Sequence, residues 1–374
     1  MDEVDAEAWD AIANPPGAAY DPFVSHAFLQ ILEESGSARA EAGWRPMHLL
    51  LEDDAAPEGA RLRAAAPMYL KGHSYGEYVF DHAWAHAFEA AGGRYYPKLQ
   101  TCIPFTPAPG RRLLAADRAM ITPLGAAAAQ VAERAGVSSF HATFMTQAEW
   151  SALGEIGFLQ RLDQQFHWEN DGYATFDDFL AALASRKRKT LKKERAAALE
   201  DRIEIDWITG SDLEERHWDA FWRFYMDTGS RKWGTPYLTR TFFSLIGERM
   251  AEDVLLVFAR RGDRYIAGAL NFIGSEALYG RNWGCTEHVP FLHFEVCYYQ
   301  AIEFAIARGL KRVEAGAQGE HKLARGYAPK ATYSAHYIPN PSFRDAVARY
   351  LEAERREVEG HIDVLETYTP FKKG

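Results

Sequence analysis

Cysteine is scarce in this sequence, and long hydrophobic runs are missing from it. The 374 residues include only Cys102, Cys285 and Cys297, and no pair has the CxxC spacing of a zinc or redox motif. A low, odd number of cysteines is typical of a reducing compartment and argues against a disulfide scaffold. No other residue pattern predicts a metal site.

The longest purely aliphatic or aromatic stretch covers only residues 254–259, far short of a membrane span. Residues 1–10 are acidic and lack the apolar core of a signal peptide. These features predict a cytoplasmic protein without a transmembrane segment.

Positive charge is in the minority. Lysine and arginine number 42 against 52 acidic residues, so the net charge is −10, which argues against duplex DNA as a partner. Residues 186–195 are the exception, with seven basic residues and one acid. Helical spacing puts Arg188, Lys192 and Arg195 on one face. That face could contact tRNA phosphates, or it could simply be solvated.

The length predicts two domains, at about 150 residues per domain. Each half has early helices, an antiparallel strand pair, a central helix closed by glycine, then a short strand and a loop. A break at Asp171-Gly172 separates the halves, which we expect to be a first lobe over residues 1–171 and a second over 172–374. Strands interleaved with helices predict mixed α/β layers.

In the second half, alternating apolar residues predict strands over 254–260, 265–273 and 277–283. The apolar stripe that follows predicts one helix over 291–308, with Pro290 at its first turn.

Several blocks of sequence resemble the FemAB-like branch of the Fem-type transferases, often labelled peptidoglycan biosynthesis or recognition. They are 69–78 (YLKGHSYGEY), 185–189 (SRKRK), 266–270 (IAGAL) with 279–281 (YGR), and 316–322 (GAQGEHK). The resemblance extends from about residue 21 to residue 371. It implies two tandem lobes of the GNAT (acyl-CoA N-acyltransferase) fold and an amide-forming enzyme with its site in the second lobe.

Fem enzymes pass an aminoacyl group from a charged tRNA to an amine of a cell-wall precursor, whereas other GNAT proteins use acyl-CoA. The resemblance therefore implies aminoacyl-tRNA or acyl-CoA as co-substrate, no tightly bound cofactor, and a small-molecule or peptide amine as acceptor. Three functions stay open: aminoacyl-tRNA-dependent transfer, acyl-CoA-dependent N-acylation of a small amine or amino acid, and non-catalytic binding of a peptide or peptidoglycan fragment. The oligomeric state is also open.

The hexapeptide from Arg281 to Thr286, which includes Trp283, is similar to the Q/R-x-x-G-x-G/A turn with which GNAT proteins cradle the CoA pyrophosphate. Thr286 departs from that pattern. Arg281 would then contact phosphate, and the alternative is a plain turn.

Glu295 shares a stripe with apolar residues, so its carboxylate must be paired or have a raised pKa. It could move a proton in the substrate pocket, or it could be the structural partner of a buried arginine. His293, two residues away, points about 200° from Glu295 on a regular helix, so the two would not share a ligand.

Polar residues concentrate in the segment 314–327, around three glycines, at the end of the strand predicted over 311–315. His321 is a candidate base, and Lys322 and Arg325 could hold a carboxylate or phosphate; the alternative is a solvated turn. The candidates in this segment are Glu314, Gln318, Glu320, His321, Lys322, Arg325 and Tyr327.

In the first lobe, Lys71, His73, Tyr75 and Glu77 crowd one short segment. Polar and aromatic groups mixed this densely suit the wall of a binding cleft. Core tyrosines with satisfied hydroxyls are the alternative.

Overall fold

A computed structural model describes residues 1–232, 236–316 and 319–372. The chain divides into two compact units. The first consists of Met1–Gln164 and Ala331–His361, and the second of Gln165–Lys330 and Ile362–Gly374. Within the described residues, no helix is long and apolar enough to cross a membrane, and no cluster of metal-ligating side chains occurs.

The strands, in chain order, are β1 Trp44–Pro46, β2 Leu49–Glu52, β3 Leu62–Ala66, β4 Met68–Lys71, β5 Lys98–Thr101, β6 Leu114–Ala115, β7 Phe140–Met145, β8 Leu159–Glu169, β9 Ile203–Thr209, β10 Val254–Arg261, β11 Arg264–Ile273, β12 Ala277–Cys285, β13 Arg312–Glu314 and β14 Ala328–Tyr337. The α-helices are α1 Ala6–Ala13, α2 His26–Glu34, α3 His82–Ala90, α4 Ile121–Ala135, α5 Gln147–Glu155, α6 Phe176–Ala182, α7 Ser185–Ala198, α8 Glu215–Lys232, α9 Arg240–Arg249, α10 Leu292–Phe294, α11 Gln300–Ala307 and α12 Pro341–Glu366.

The first unit is built on a sheet whose strands run in the order β1-β4-β5-β7-β14, with a smaller sheet β2-β3-β6 beside it. Strand alternation gives the larger sheet two different faces. Leu99, Phe140 and Ala142 lie on the face that packs against apolar residues of α4. Register pairs Lys71 with Lys98 and Gln100 with His141, so the opposite face is polar.

The second unit has strands in the order β8-β13-β12-β11-β10-β9. β12 and β13 are parallel, and the other neighbouring pairs are antiparallel. The strands predicted at 254–260, 265–273 and 277–283 are confirmed as β10, β11 and β12. Apolar residues of α11 cover this sheet and form the core with α6 and α7.

The structure corrects the single helix predicted over 291–308. The helix starts at Leu292 rather than at Pro290, and a π-helical turn, Glu295–Tyr299, separates α10 from α11. Such turns are frequent at functional sites because they change which residues share a helix face.

Contacts place residues 331–361 in the first unit, whereas the sequence assigned everything after 171 to one lobe. The reason is non-local pairing. β14 pairs with β7, and Phe343 and Val347 of α12 join a cluster with Trp84 and Tyr95.

Candidate functional site

The central feature of the second unit is a pair of parallel strands that opens at one end. β12 and β13 pair only as far as Tyr279 and Glu314, after which β12 leaves β13 and continues to Cys285 paired with β11. A bulge at Arg281 shifts the register between β12 and β11 at the same level. A cavity of about 100 Å³ lies there, bounded by parts of β11 and β12, the π-helical turn and the residue after β13.

Asn271 supplies a buried polar atom to the wall of this cavity. Its Nδ2 donates to the carbonyl oxygens of Leu255 and Ala269, at 3.3 and 3.5 Å, which sets the orientation of the amide. Its Oδ1 is buried and has no hydrogen-bond partner among the described residues. Leaving a buried acceptor unsatisfied costs about 1–3 kcal/mol, so this oxygen is available to a donor from water or from a ligand.

Aromatic rings form the rest of the wall. The His293 ring lies 5.1 Å from the ring of Trp283 and 5.3 Å from that of Tyr298, centroid to centroid. Arg281 also lines the cavity. The structure therefore brings Arg281 and Trp283 together, and it adds His293 and Tyr298, to which the sequence analysis gave no role.

His321 reaches the same cavity indirectly. Its Nε2 lies 2.9 Å from the hydroxyl of Tyr298, and Tyr298 is on the cavity wall. Burial, with the nearby Arg325 and Lys322, lowers the pKa of His321 below its ordinary value, so the ring is neutral at pH 7. Burial also raises the pKa of Tyr298, which keeps its hydroxyl protonated. A neutral imidazole hydrogen-bonded to a phenol can transfer a proton.

Lys322 secures the loop after β13. It is fully buried, and its Nζ donates to the carbonyl oxygens of Ala315 and Gly316, at 2.7 and 3.0 Å. Burial lowers the pKa of Lys322 to about 8. Because Ala315 lies on the cavity wall, Lys322 positions that wall.

Arg325 is also engaged within the protein. Its Nη2 donates to both carboxylate oxygens of Glu194 at 3.0 Å, and its Nη1 donates to the carbonyl oxygen of His321 at 2.7 Å. Its guanidinium lies 3.4 Å from the ring centroid of Phe294. Arg325 therefore connects the short 3₁₀ helix Glu320–Arg325 to α7 and to α10.

Glu295 has the structural partner that the sequence analysis left open. Its side chain is 0% exposed. The Nε and Nη2 atoms of Arg195 donate to its carboxylate at 2.8–3.1 Å, and Gln300 donates a further bond at 2.7 Å. Arg195 also pairs with Glu303 at 2.8 Å. This arrangement satisfies a buried carboxylate and joins α7 to the π-helical turn.

The other candidates of this segment lie apart from the cavity wall. Glu314 accepts a hydrogen bond from Arg312 at 2.8 Å, and Glu320 is exposed in the first turn of the 3₁₀ helix. Tyr327 is buried against Tyr298, with ring centroids 5.6 Å apart. Gln318 lies outside the described residues.

The hexapeptide similar to a CoA-binding turn is not a turn. Arg281 and Gly284 both lie in β12, and their strand pairs with β11 through Cys285. A Cβ atom at Gly284 would lie 2.2 Å from the carbonyl oxygen of Phe224 in α8. Glycine is therefore required there for close packing of α8 on the sheet, and the backbone amides of this strand form a ladder rather than a phosphate cradle.

The polar face of the first unit contains a buried charged network. Lys98 donates to Glu77 at 2.6 Å and to Asp81, and Lys71 lies 3.7 Å from Glu77 and 3.3 Å from the centroid of the Trp44 ring. Burial lowers the pKa of Lys71 to about 7. Burial also opposes the charged form of Lys98, but the two carboxylates raise its pKa above the ordinary value.

Two histidines extend this network. His141 Nδ1 lies 2.6 Å from His336 Nδ1, and the hydroxyl of Tyr95 joins His141 to Asp81. Burial, with the charge of Lys98, lowers the pKa of His141 to about 3. The pair is therefore neutral at physiological pH.

The side chains of Lys71 and Glu77 are thus buried, whereas those of His73 and Tyr75 lie nearer the surface. His73 is half-buried and contacts the carbonyl oxygen of Ala42 at 2.9 Å. Tyr75 is 61% exposed, with its ring 5.2 Å from that of His73. The structure brings the four residues into one loop region, although only Lys71 and Glu77 share the network.

The basic helix predicted around residue 190 is α7. Arg188 is half-buried on it, Lys192 is exposed and pairs with Asp177 at 3.5 Å, and Arg195 is held by Glu295. These three residues therefore have three different environments.

Asn271, Tyr298 and His141 were missed by the sequence analysis. Asn271 interrupts an apolar strand pattern, and His141 occupies a fully buried strand. Each is a polar residue where burial is expected, which is the signal that could have identified them.

The two units define an α/β protein with two tandem GNAT-like lobes, as in Fem-type transferases, which confirms the predicted fold class. The chain belongs to the FemAB_like family, described as peptidoglycan biosynthesis/recognition, whose model matches residues 1–373. The predicted family resemblance is thereby confirmed.

Solved structures agree at the level of the fold. The crystal structure of FemX aligns with a TM-score of 0.58 at 11% identity, covering 92% of this chain and 98% of FemX. The structure of L-PGS from Bacillus licheniformis aligns with a TM-score of 0.52 at 9% identity, covering 90% of this chain and 98% of that one. No curated protein gives a significant sequence match.

Proposed function

We propose that the second unit forms an amide by moving an activated acyl or aminoacyl group onto an amine, within peptidoglycan biosynthesis. Family membership supports the link to peptidoglycan, and the fold supports acyl transfer. The observation that carries the reaction is the cavity at the open end of the β12–β13 pair, with Asn271 and Tyr298 on its wall.

In the proposed reaction, the nitrogen of a neutral acceptor amine attacks the carbonyl carbon of the donor. The unsatisfied Oδ1 of Asn271 accepts one amine N–H and orients the lone pair toward the carbonyl. As the C–N bond forms, the nitrogen gives up a proton to the Tyr298 oxygen, while the Tyr298 hydroxyl proton moves to Nε2 of His321. The bond to the carrier then breaks, the proton held by His321 passes back through the Tyr298 hydroxyl to the carrier, and the carrier leaves as an alcohol or a thiol.

In this reaction His321 is the base, and Tyr298 is the group in contact with substrate. Lys322 positions the wall, and Glu295 holds the adjoining helix turn through Arg195. The co-substrate is aminoacyl-tRNA or an acyl-CoA, and the acceptor is a small-molecule or peptide amine.

The test is amide formation followed by mass spectrometry. Purified protein is incubated with aminoacyl-tRNA or with acyl-CoAs, and with a lysine- or diaminopimelate-containing muropeptide as acceptor. We expect Tyr298→Phe and His321→Asn each to lower kcat by about 10²-fold, since general acid–base catalysis contributes that much or more. The double variant should lose little more than either single variant, because the two groups act in one relay.

Tyr368→Phe is the matched control, because Tyr368 is 66% exposed and the substitution removes the same hydroxyl from the same unit. It should leave kcat unchanged. Product from one donor only would identify the carrier. Amide formation that survives both Tyr298→Phe and His321→Asn would refute the relay, and no turnover with any donor would favour the binding-protein alternative.

A further inference from the structure

A second cavity of the second unit lies between α7 and the 3₁₀ helix Glu320–Arg325. Its volume is about 380 Å³, and it is separate from the residues that line the cavity at β12. It is lined by Arg186, Lys187, Thr190, Leu191, Glu194, Ala324 and Arg325. We refer to it as the α7 cleft.

Positive charge predominates in the α7 cleft. Arg186 and Lys187 are exposed and have no ion-pair partner among the described residues. The acid of the cleft, Glu194, is already bound by Arg325 and by the hydroxyl of Tyr299. The two basic side chains are therefore available to an anion.

Arg325, which lines the same cleft, has a further unsatisfied donor. Arg325 is 6% exposed, and its buried Nε–H has no acceptor among the described residues although the other guanidinium nitrogens are bonded. A buried guanidinium donor without an acceptor is costly. Arginine and lysine side chains that converge in this way are donors that suit phosphate oxygens.

The lining also indicates which part of a ligand would bind. Among the described residues, no aromatic side chain borders the cleft, so it lacks the stacking surface with which proteins hold unpaired bases. The basic side chains would bind the phosphate group and would not distinguish one base from another.

We infer that the α7 cleft binds a phosphate group of the molecule that carries the acyl group to the enzyme. This inference rests on the proposed function. The α7 cleft lies on a different face of α7 from the one predicted to bind phosphate. On the predicted face, Arg195 is held by Glu295 and Lys192 pairs with Asp177.

The experiment measures binding directly, without turnover. The probes are fluorescently labelled bulk tRNA, followed by anisotropy, and CoA, followed by calorimetry. The variant Arg186→Ala/Lys187→Ala is compared with Lys189→Ala/Lys193→Ala, which removes the same charge from exposed positions elsewhere on the same helix. All four positions are exposed, and thermal melts confirm that both variants are folded.

We expect the cleft variant to weaken binding of one probe by about tenfold or more, because hydrogen bonds to charged groups are the stronger ones. For tRNA, the slope of log affinity against log salt should also become shallower by about one for each phosphate that the variant no longer neutralises. The control variant should change affinity by about twofold at most. Weakened binding of tRNA alone or of CoA alone supports the inference and identifies the source of the phosphate.

Equal weakening in the two variants would mean general electrostatic attraction and would overturn the inference, as would a wild-type protein that binds neither probe. Selective weakening of binding in a protein that forms no amide would leave the cleft in place and refute the proposed function. Amide formation by the cleft variant with an unchanged KM for the donor would support the proposed function and refute the cleft as the site of the donor's phosphate.

Discussion

Replacing Gly284 with alanine tests whether this glycine is required by packing or by a phosphate ligand. An added Cβ would lie 2.2 Å from the Phe224 carbonyl oxygen, whereas ordinary contacts start at 3.4 Å. Helix α8 would have to retreat by about 1.2 Å, the difference between those distances. The obstacle is helix backbone, so no side-chain rotation relieves it.

Overpacking of this kind typically costs about 1–3 kcal/mol. A unit of this size loses about 2–4 °C in Tm per kcal/mol, so we expect a fall of roughly 2–12 °C for Gly284→Ala. Differential scanning calorimetry measures it directly, and urea unfolding gives an independent free energy of unfolding.

Gly280→Ala on the same strand is the matched control. The nearest atoms to its added Cβ are the Asn271 Oδ1 at 3.4 Å and the Glu314 carbonyl oxygen at 3.5 Å, which are ordinary contacts. Its stability should change by less than about 1 kcal/mol. Its methyl group would, however, lie beside Asn271 at the cavity, so amide formation should fall.

The opposite pattern would refute this reasoning. If Gly284→Ala melts within about 1 °C of the wild type and loses CoA affinity instead, Gly284 serves a phosphate ligand, and its assigned role in the packing of α8 is wrong.

Three further variants test the buried charges. Lys98→Met removes the cation that Glu77 and Asp81 share, with Lys71 still 3.7 Å from Glu77, and should cost about 3–5 kcal/mol in urea unfolding. A change under about 1 kcal/mol would contradict the network. Arg195→Ala should destabilise by about 3 kcal/mol, and adding Glu295→Gln should recover part of that loss; strict additivity would show that the two residues are independent. Because the pKa values of His141 and His336 are lowered in the folded protein, the unfolded state binds more protons below about pH 6.5. The stability contributed by the neutral pair is therefore fully present above that pH and falls on acidification. His141→Gln/His336→Gln should flatten this dependence, and an unchanged slope between pH 6.5 and 4.5 would exclude the pair as its source.

Much of the second unit could be predicted because its signals are local. Alternation predicted β10, β11 and β12, and the glycine at position 309 correctly marked the end of the helical segment. The π-helical turn at Glu295 could not be predicted, since its residues fit the stripe of an ordinary helix equally well. Gly284 was misread for a similar reason. Its spacing matched a turn motif, while the cause of its smallness is the Phe224 backbone, 60 residues earlier in the chain.

The candidate site shows the same division. His321, Arg281 and Trp283 were identified from residue type and position, but their relation to the cavity was not. Asn271 was overlooked because its importance lies in one unsatisfied oxygen, which only the packed structure can reveal. Lys322 and Arg325 were predicted to hold a carboxylate or phosphate, whereas both donate hydrogen bonds within the protein.

The sequence alone determined the class of fold, the family and the presence of a basic helix, because periodicity, turn residues and family motifs are written in short stretches of chain. Tertiary structure decided which charges are satisfied and which remain available. Glu295 meets Arg195 across 100 positions of sequence, and that meeting makes one a structural carboxylate and removes the other from the basic surface. Which side chains pair depends on contacts between residues far apart in the chain, and the role of a buried charge depends on the residue that pairs with it.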